Sequence, residues 1–325
     1  MPTNKKKILF YGNCQFRWLA KTFKKIKNFD DHYEIIKSTD YGLENQGDEN
    51  VVSNFLLSIN SKSKSEYKLG VRNLNAALIH ADIFIFQSYT KTNKFGDGFT
   101  TDKILNNFKG ESICIPSLWF GGYLQHSQSF PMLDVFVWLR NHGKSNNEII
   151  KFLATQNHFL FGELIDYYYN KSMDGLKERK KEQSHKYNYL CIEKWIQDNW
   201  KKKLITFNHS HQTSHYTDFV HRKIIDKLQM SELKPYEGNF DFFIGGADGH
   251  FYPNTFKFFR ERFPDISKTM RNFRKNYDQY GGYCSRSFGL YVSLGVEAAD
   301  KEIEKLNSKN YINPEYLKII QNIEF

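Results

Sequence analysis

A chain of 325 residues, 40% of them hydrophobic, is long enough for one large domain or two ordinary ones with a real core. No run approaches the roughly 18 apolar residues of a membrane span, and the basic start is followed by only about five apolar residues, too few for a signal peptide. The balance of 46 basic against 36 acidic residues, +10 net, favours an anionic partner such as a nucleotide cofactor or an acidic glycan.

Cys14, Cys114, Cys191 and Cys284 lie far apart with no Cys-x-x-Cys pair, which argues against a zinc knuckle and a disulfide scaffold and leads us to expect a cytoplasmic protein. The lysine runs at 5–7, 180–181 and 201–203 read as solvated surface. Aromatics are abundant, but no RNA-binding pattern of interleaved glycines and aromatics accompanies them, so nucleic acid is not expected as a partner.

In chain order, residues 6–11 read as a short buried strand that stops at Gly12. Residues 15–27 then carry Phe16, Leu19, Phe23 and Ile26 at helical spacing. Residues 33–36 offer a second strand, 38–50 a Gly-, Asp- and Asn-rich loop, 51–59 a helix and 69–80 another. Ile83 to Phe86 is a continuous apolar run, as expected of a buried parallel strand, and it ends at Gln87-Ser88-Tyr89-Thr90. A helix over 101–108 precedes a strand over 112–115, which ends at Pro116-Ser117. Three strands thus end in polar loops, 12–15, 87–90 and 116–119, and in an open parallel sheet those loops converge on one crevice, the usual ligand site of such folds.

After Phe120-Gly121-Gly122-Tyr123 the character becomes mainly helical. Ser145-Asn146-Asn147-Glu148 is a capping box that opens a helix to about Gln156. Residues 161–171 and 174–199 read as helical, 203–207 as a strand and 214–228 as a helix. Residues 238–253 read as an irregular stretch around Gly245-Gly246-Ala247-Asp248-Gly249-His250, and helices follow near 254–263, 267–277, 296–307 and 314–322. Residues 1–125 are therefore expected to form a small α/β subdomain with an open, parallel, Rossmann-like or flavodoxin-like sheet. Residues 126–325 form a mainly helical half that completes the cleft within one integrated domain.

Cys14 begins a helix directly after a strand, where unpaired backbone N–H groups and the helix dipole lower a thiol's pKa; the alternative is a small buried residue after a tight turn. Asn208 to His215 holds three histidines, and neutral imidazole suits general-base work near pH 7. His209 is the preferred base, while His211 and His215 with Asp218 have ligand-like spacing but lack any pattern supporting a metal. Asp248 and His250 are a second acid/base candidate, in a glycine-rich loop. Arg17 and Lys21, one turn apart, suit phosphate near a helix start. Arg271, Arg274, Lys275 and Arg286 suit a pyrophosphate or read as a solvated face. No dinucleotide fingerprint or Walker motif is present.

Tyr11-Gly12-Asn13-Cys14-Gln15, Gln87-Ser88-Tyr89, Pro116-Ser117-Leu118-Trp119-Phe120 and Asn208-His209, in this order, resemble the WcbI family of capsule polysaccharide biosynthesis enzymes. The resemblance implies a cytoplasmic enzyme with a cradle-like fold and a central cleft for coenzyme A, transferring acetyl from acetyl-CoA to a capsule sugar hydroxyl. No metal is expected, since no His-Glu-x-x-His pattern or cysteine cluster supports one. The resemblance carries over to Gly12, Asn13, Cys14, Gln15, Gln87, Ser88, Pro116, Asn208 and His209; beside these, Arg17, Tyr89, Ser117, Trp119 and Arg286 are our own candidate cofactor contacts. On this reading Cys14 sits near the thioester, His209 takes the acceptor's proton, and Asn13 with Gln15 or a backbone N–H stabilises the oxyanion. The expected partners are a small-molecule thioester and a sugar or polysaccharide acceptor, with no membrane span and a peripheral association with capsule machinery. One departure is Ser210, where the family shows proline after Asn-His. Two other classes fit the residues: an SGNH-like esterase or deacetylase acting on a glycan, with Cys14 in place of serine, and a non-catalytic protein that binds a glycan or nucleotide sugar.

Overall fold

A computed structural model describes residues 5–36, 62–123, 125–126, 133–155, 158–206, 212–234, 250–251, 261–263, 297 and 300. The helices expected over 51–59, 267–277 and 314–322 lie outside the described residues, as do those over 254–263 and 296–307 apart from residues 261–263, 297 and 300. The chain divides into two compact units, each made of three stretches: 1–117, 176–194 and 214–241 in the first, and 118–175, 195–213 and 242–325 in the second.

The first unit is built on a parallel sheet. Strand β1 (Lys6–Tyr11) leads into α1 (Cys14–Phe23), the single-turn α2 (Phe29–His32) and β2 (Tyr33–Ile35). Then follow α3 (Lys64–His80), β3 (Ile83–Phe86), α4 (Thr101–Asn107) and β4 (Glu111–Cys114). The strand order is β2-β1-β3-β4, every pairing parallel. Ile8, Leu9 and Phe10 in β1 and Phe84, Ile85 and Phe86 in β3 are wholly buried. Strands covered on both faces account for apolar runs without alternation.

A fifth stretch extends the sheet. Cys114 N–H donates to the Asn188 carbonyl at 2.9 Å and Leu190 N–H to the Cys114 carbonyl at 2.9 Å, so Asn188, Tyr189 and Leu190 lie parallel to β4 along its outer edge. In chain order the sheet then reads 2-1-3-4-5, the flavodoxin-like arrangement, whose switch point falls between β1 and β3. This confirms the expected open parallel α/β sheet, with its Rossmann-like N-terminal part.

The register sets the strand ends level, since Tyr11 pairs with Phe86 and Phe86 with Cys114. Beyond that row, Gln87 N–H donates to the Tyr11 carbonyl at 2.8 Å and Ile115 N–H to the Phe86 carbonyl at 2.8 Å, so all three loops leave one edge. Helix α1 buries Phe16, Leu19, Ala20 and Phe23; the Phe23 ring meets Phe10 at 5.8 Å and Phe29 at 5.8 Å.

In the second unit lie β5 (Gln125–His126), α5 (Leu133–Asn141) and α6 (Asn146–Thr155). Helix α7 (His158–Gln183) starts there and ends in the first unit. The second unit also holds α8 (Glu193–Asn199) from Trp195 onward and β6 (His250–Phe251), which pairs antiparallel with β5. The capping box at the start of α6 forms as expected: Glu148 N–H donates to Ser145 Oγ at 3.3 Å, and Ser145 N–H to the Glu148 carboxylate at 2.8 Å. An aromatic group anchors this unit, with Tyr169 stacked on Trp200 at 4.4 Å and Phe120 against Tyr123 at 5.0 Å. The buried Tyr123 hydroxyl lies 2.9 Å from the carbonyl oxygens of both Trp200 and Lys203 and accepts from Ile205 N–H at 3.1 Å.

Two expectations change. The helix expected over 174–199 is interrupted after Gln183, because the backbone groups of 188–190 bond to β4 instead. The strand expected over 203–207 is reduced to one bridge, Thr206 with Gln212, and α9 (Ser214–Lys227) follows as expected.

Candidate functional site

At the sheet's switch point the chain builds a network of uncharged side chains. Asn13 is the N-cap of α1: its Oδ1 accepts Gln15 N–H at 3.0 Å, satisfying one of the orphan donors at a helix start. Its own backbone N–H donates to Gln87 Oε1 at 2.9 Å. Its Nδ2 donates to Ser117 Oγ at 3.2 Å. Gln87 Nε2 in turn donates to Gln15 Oε1 at 3.2 Å, so Gln87 uses both ends of its amide on the first loop.

The three loops expected to converge are thereby joined by direct hydrogen bonds, with Asn13 at the centre. Gln15 and Gln87 are buried, at 3% and 7% exposure, while Asn13 and Ser117 are half-buried and form the outward side of the network. Gly12 makes the close approach possible: a β-carbon there would lie 2.7 Å from the Phe16 ring and 2.9 Å from Gln87 Oε1.

The other sequence-derived residues take separate places. Cys14 is the first residue of α1, and Arg17 lies within the same helix. Ser88 N–H faces the Cys114 thiol and its hydroxyl faces the Tyr187 phenol, so it belongs to the β4 side of the edge. Tyr89 is half-buried, its loop held by two bonds to the start of α4: Tyr89 N–H to Thr101 Oγ1 at 2.7 Å and Thr101 N–H to the Tyr89 carbonyl at 2.8 Å. Burial and the neighbouring Tyr67 phenol raise its pKa, so Tyr89 stays a neutral hydroxyl.

Pro116 is buried, and Trp119, at 48% exposure, is among the most exposed large hydrophobic side chains described. His250 is placed by its backbone in β6, opposite His126. Asn208, His209, His211, Asp248 and Arg286 lie outside the described residues.

Sequence reasoning missed Thr101, which locks the Tyr89 loop; a threonine at a helix start carries no signal of a partner twelve residues earlier. It also left Cys114 without a role. Burial pushes that thiol up to about 12, so it stays protonated and acts as core, with its sulfur 3.6 Å from Gln183 Oε1. Among the described residues no cluster of three or more His, Cys, Asp or Glu is set to hold a metal, and no helix is long and apolar enough to cross a membrane.

The sequence matches no model of a known protein family and no curated protein. The structure does match a solved one. It aligns with WcbI, described as a polysaccharide biosynthesis enzyme and solved as the native protein without a disulfide bond between coenzyme A and a cysteine, at a TM-score of 0.59 and 14% identity. The alignment covers 98% of this chain and 99% of that one, so the likeness is one of whole fold, as the motif resemblance led us to expect.

Proposed function

We propose that this chain is an enzyme of capsule or surface polysaccharide biosynthesis that binds coenzyme A thioesters and transfers an acetyl group to a sugar hydroxyl. The observation that carries the reading is the Asn13–Gln87–Ser117 network at the switch point of a sheet shared with a protein described together with coenzyme A. A positive chain suits a polyanionic cofactor. The half-buried Tyr89 offers an apolar wall with a neutral hydroxyl, the mixture typical of cofactor pockets.

In this reading Cys14 lines the thioester end, and His209 removes the acceptor hydroxyl's proton. Arg17 and Arg286 meet phosphate oxygens. Direct transfer, with Cys14 only lining the site, and a covalent acyl-cysteine are separated by mass spectrometry after incubation with acetyl-CoA. An active enzyme with no adduct on Cys14 rules out the covalent route.

Titration calorimetry with coenzyme A tests the reading as a whole. Binding at micromolar to low millimolar ligand is expected, and its absence at millimolar ligand overturns it.

A further inference from the structure

We infer that Thr101 is a positioning residue for the cofactor: it fixes Tyr89 at the mouth of the loop between β3 and α4, so that the phenol already stands in place when coenzyme A arrives. The inference rests on the coenzyme A reading above, with Tyr89 as one of its contacts.

Thr101 is buried, at 1% exposure, and it grips the backbone of one distant residue. Its Oγ1 accepts Tyr89 N–H at 2.7 Å, its hydroxyl donates back to the Tyr89 carbonyl at 3.3 Å, and its own N–H donates to the same carbonyl at 2.8 Å. Both backbone groups of Tyr89 are thereby engaged from a position twelve residues later. Thr101 is the first residue of α4, where a helix leaves its N–H groups without intrahelical partners, so the bond to the Tyr89 carbonyl takes nothing from the helix.

The chain between these two residues is fastened elsewhere as well. Tyr11, the last residue of β1, donates its phenol hydrogen to the Phe99 carbonyl at 2.9 Å, and the Tyr67 phenol on α3 accepts Gly98 N–H at 2.8 Å. Asn93 and Gly96 exchange both backbone bonds at 2.9 Å. Asp102, next to Thr101, accepts from the Tyr187 phenol at 2.6 Å, and that phenol faces the Ser88 hydroxyl, so the start of α4 reaches both residues that follow Gln87. A loose loop has to be ordered by its ligand, which subtracts from affinity; a loop closed at its base by Thr101 has been ordered by the fold. Tyr89 stands beside the Tyr11 and Tyr67 phenols and stays only half-buried, so part of its ring is open to a ligand.

The test is calorimetry with coenzyme A on the full chain, comparing Thr101→Val, which keeps the shape and removes the hydroxyl, with Thr101→Ser, which keeps the hydroxyl. Thr101→Val is expected to raise Kd about three- to tenfold, the worth of one hydrogen bond, and Thr101→Ser to stay within about twofold of wild type. In a Tyr89→Ala background the Thr101→Val change is expected to alter Kd by less than about twofold, because a residue that acts through Tyr89 then has no side chain left to place. An unchanged Kd in Thr101→Val, an equal loss in Thr101→Ser, or the full loss persisting beside Tyr89→Ala overturns this inference alone. Where a variant does not fold or binds too weakly to measure, wild type decides by nuclear magnetic resonance: without ligand the Tyr89 amide is expected to exchange at least about a hundredfold more slowly than in an unfolded chain, and its ring signals to shift on adding coenzyme A. An amide that exchanges at the unfolded rate, or ring signals that stay in place as coenzyme A binds, overturns the inference. Failure of wild type to bind coenzyme A at all overturns the underlying reading and this inference with it.

Discussion

Gly12 is hemmed in on two sides, by the Phe16 ring and by the Gln87 amide that holds the Asn13 peptide. A methyl group there forces one or both to move, and overpacking of this kind costs about 1–3 kcal/mol. Gly12→Ala is therefore expected to lower the unfolding free energy read from a denaturant titration by that amount and to weaken coenzyme A binding, because shifting Gln87 frees the loop that Asn13 and Ser117 share. A variant with wild-type stability and affinity would show that the loop tolerates the crowding. The identity of these residues was legible in the sequence, since Gly12 to Gln15 and Gln87 stand where apolar runs stop. Which atom bonds which was not: amide pairing across 74 residues leaves no periodic trace.

At the scale of elements, α1 is held from behind by α9 through His221, whose Nε2 lies 3.2 Å from the Leu19 carbonyl and 3.3 Å from Thr22 Oγ1 and whose ring meets Phe23 edge-on at 5.0 Å. Burial drives its pKa down to about 4, with the Leu19 carbonyl and Asp218 opposing the shift. The folded state thus refuses a proton that the unfolded chain accepts near 6.5. His221 costs nothing above that pH, and its penalty grows as the pH falls from about 6.5 to about 4, reaching on the order of 3 kcal/mol. A urea series across this range is expected to show a wild-type loss that His221→Gln lacks; parallel curves would assign the acid sensitivity elsewhere. The strands β1 and β3 were legible because buried parallel strands carry continuous apolar runs, Ile8 to Tyr11 and Ile83 to Phe86, and β4 because Ile113 and Cys114 run into Ile115 and stop at Pro116. The break in the helix after Gln183 was not, since residues 188–190 take their place from backbone hydrogen bonds to β4, 74 positions earlier in the chain at Cys114 and Asn188.

For the molecule as a whole, the +10 charge acts at range, and its effect depends on salt. Coenzyme A affinity is expected to fall severalfold between about 20 and 300 mM salt, as the screening length contracts below about 10 Å. Affinity that is flat across this series would assign binding to apolar contacts with the pantetheine arm. The outer edge of β4 carries a further consequence, which concerns synthesis. Asn188 to Leu190 cover that edge, yet they leave the ribosome long after Cys114 does. Until they arrive, β4 presents unpaired backbone groups beside the buried apolar runs of β1 and β3, a template for pairing with another nascent copy. The first unit therefore closes late in translation, and a slowed or truncated message leaves the chain at its most aggregation-prone point.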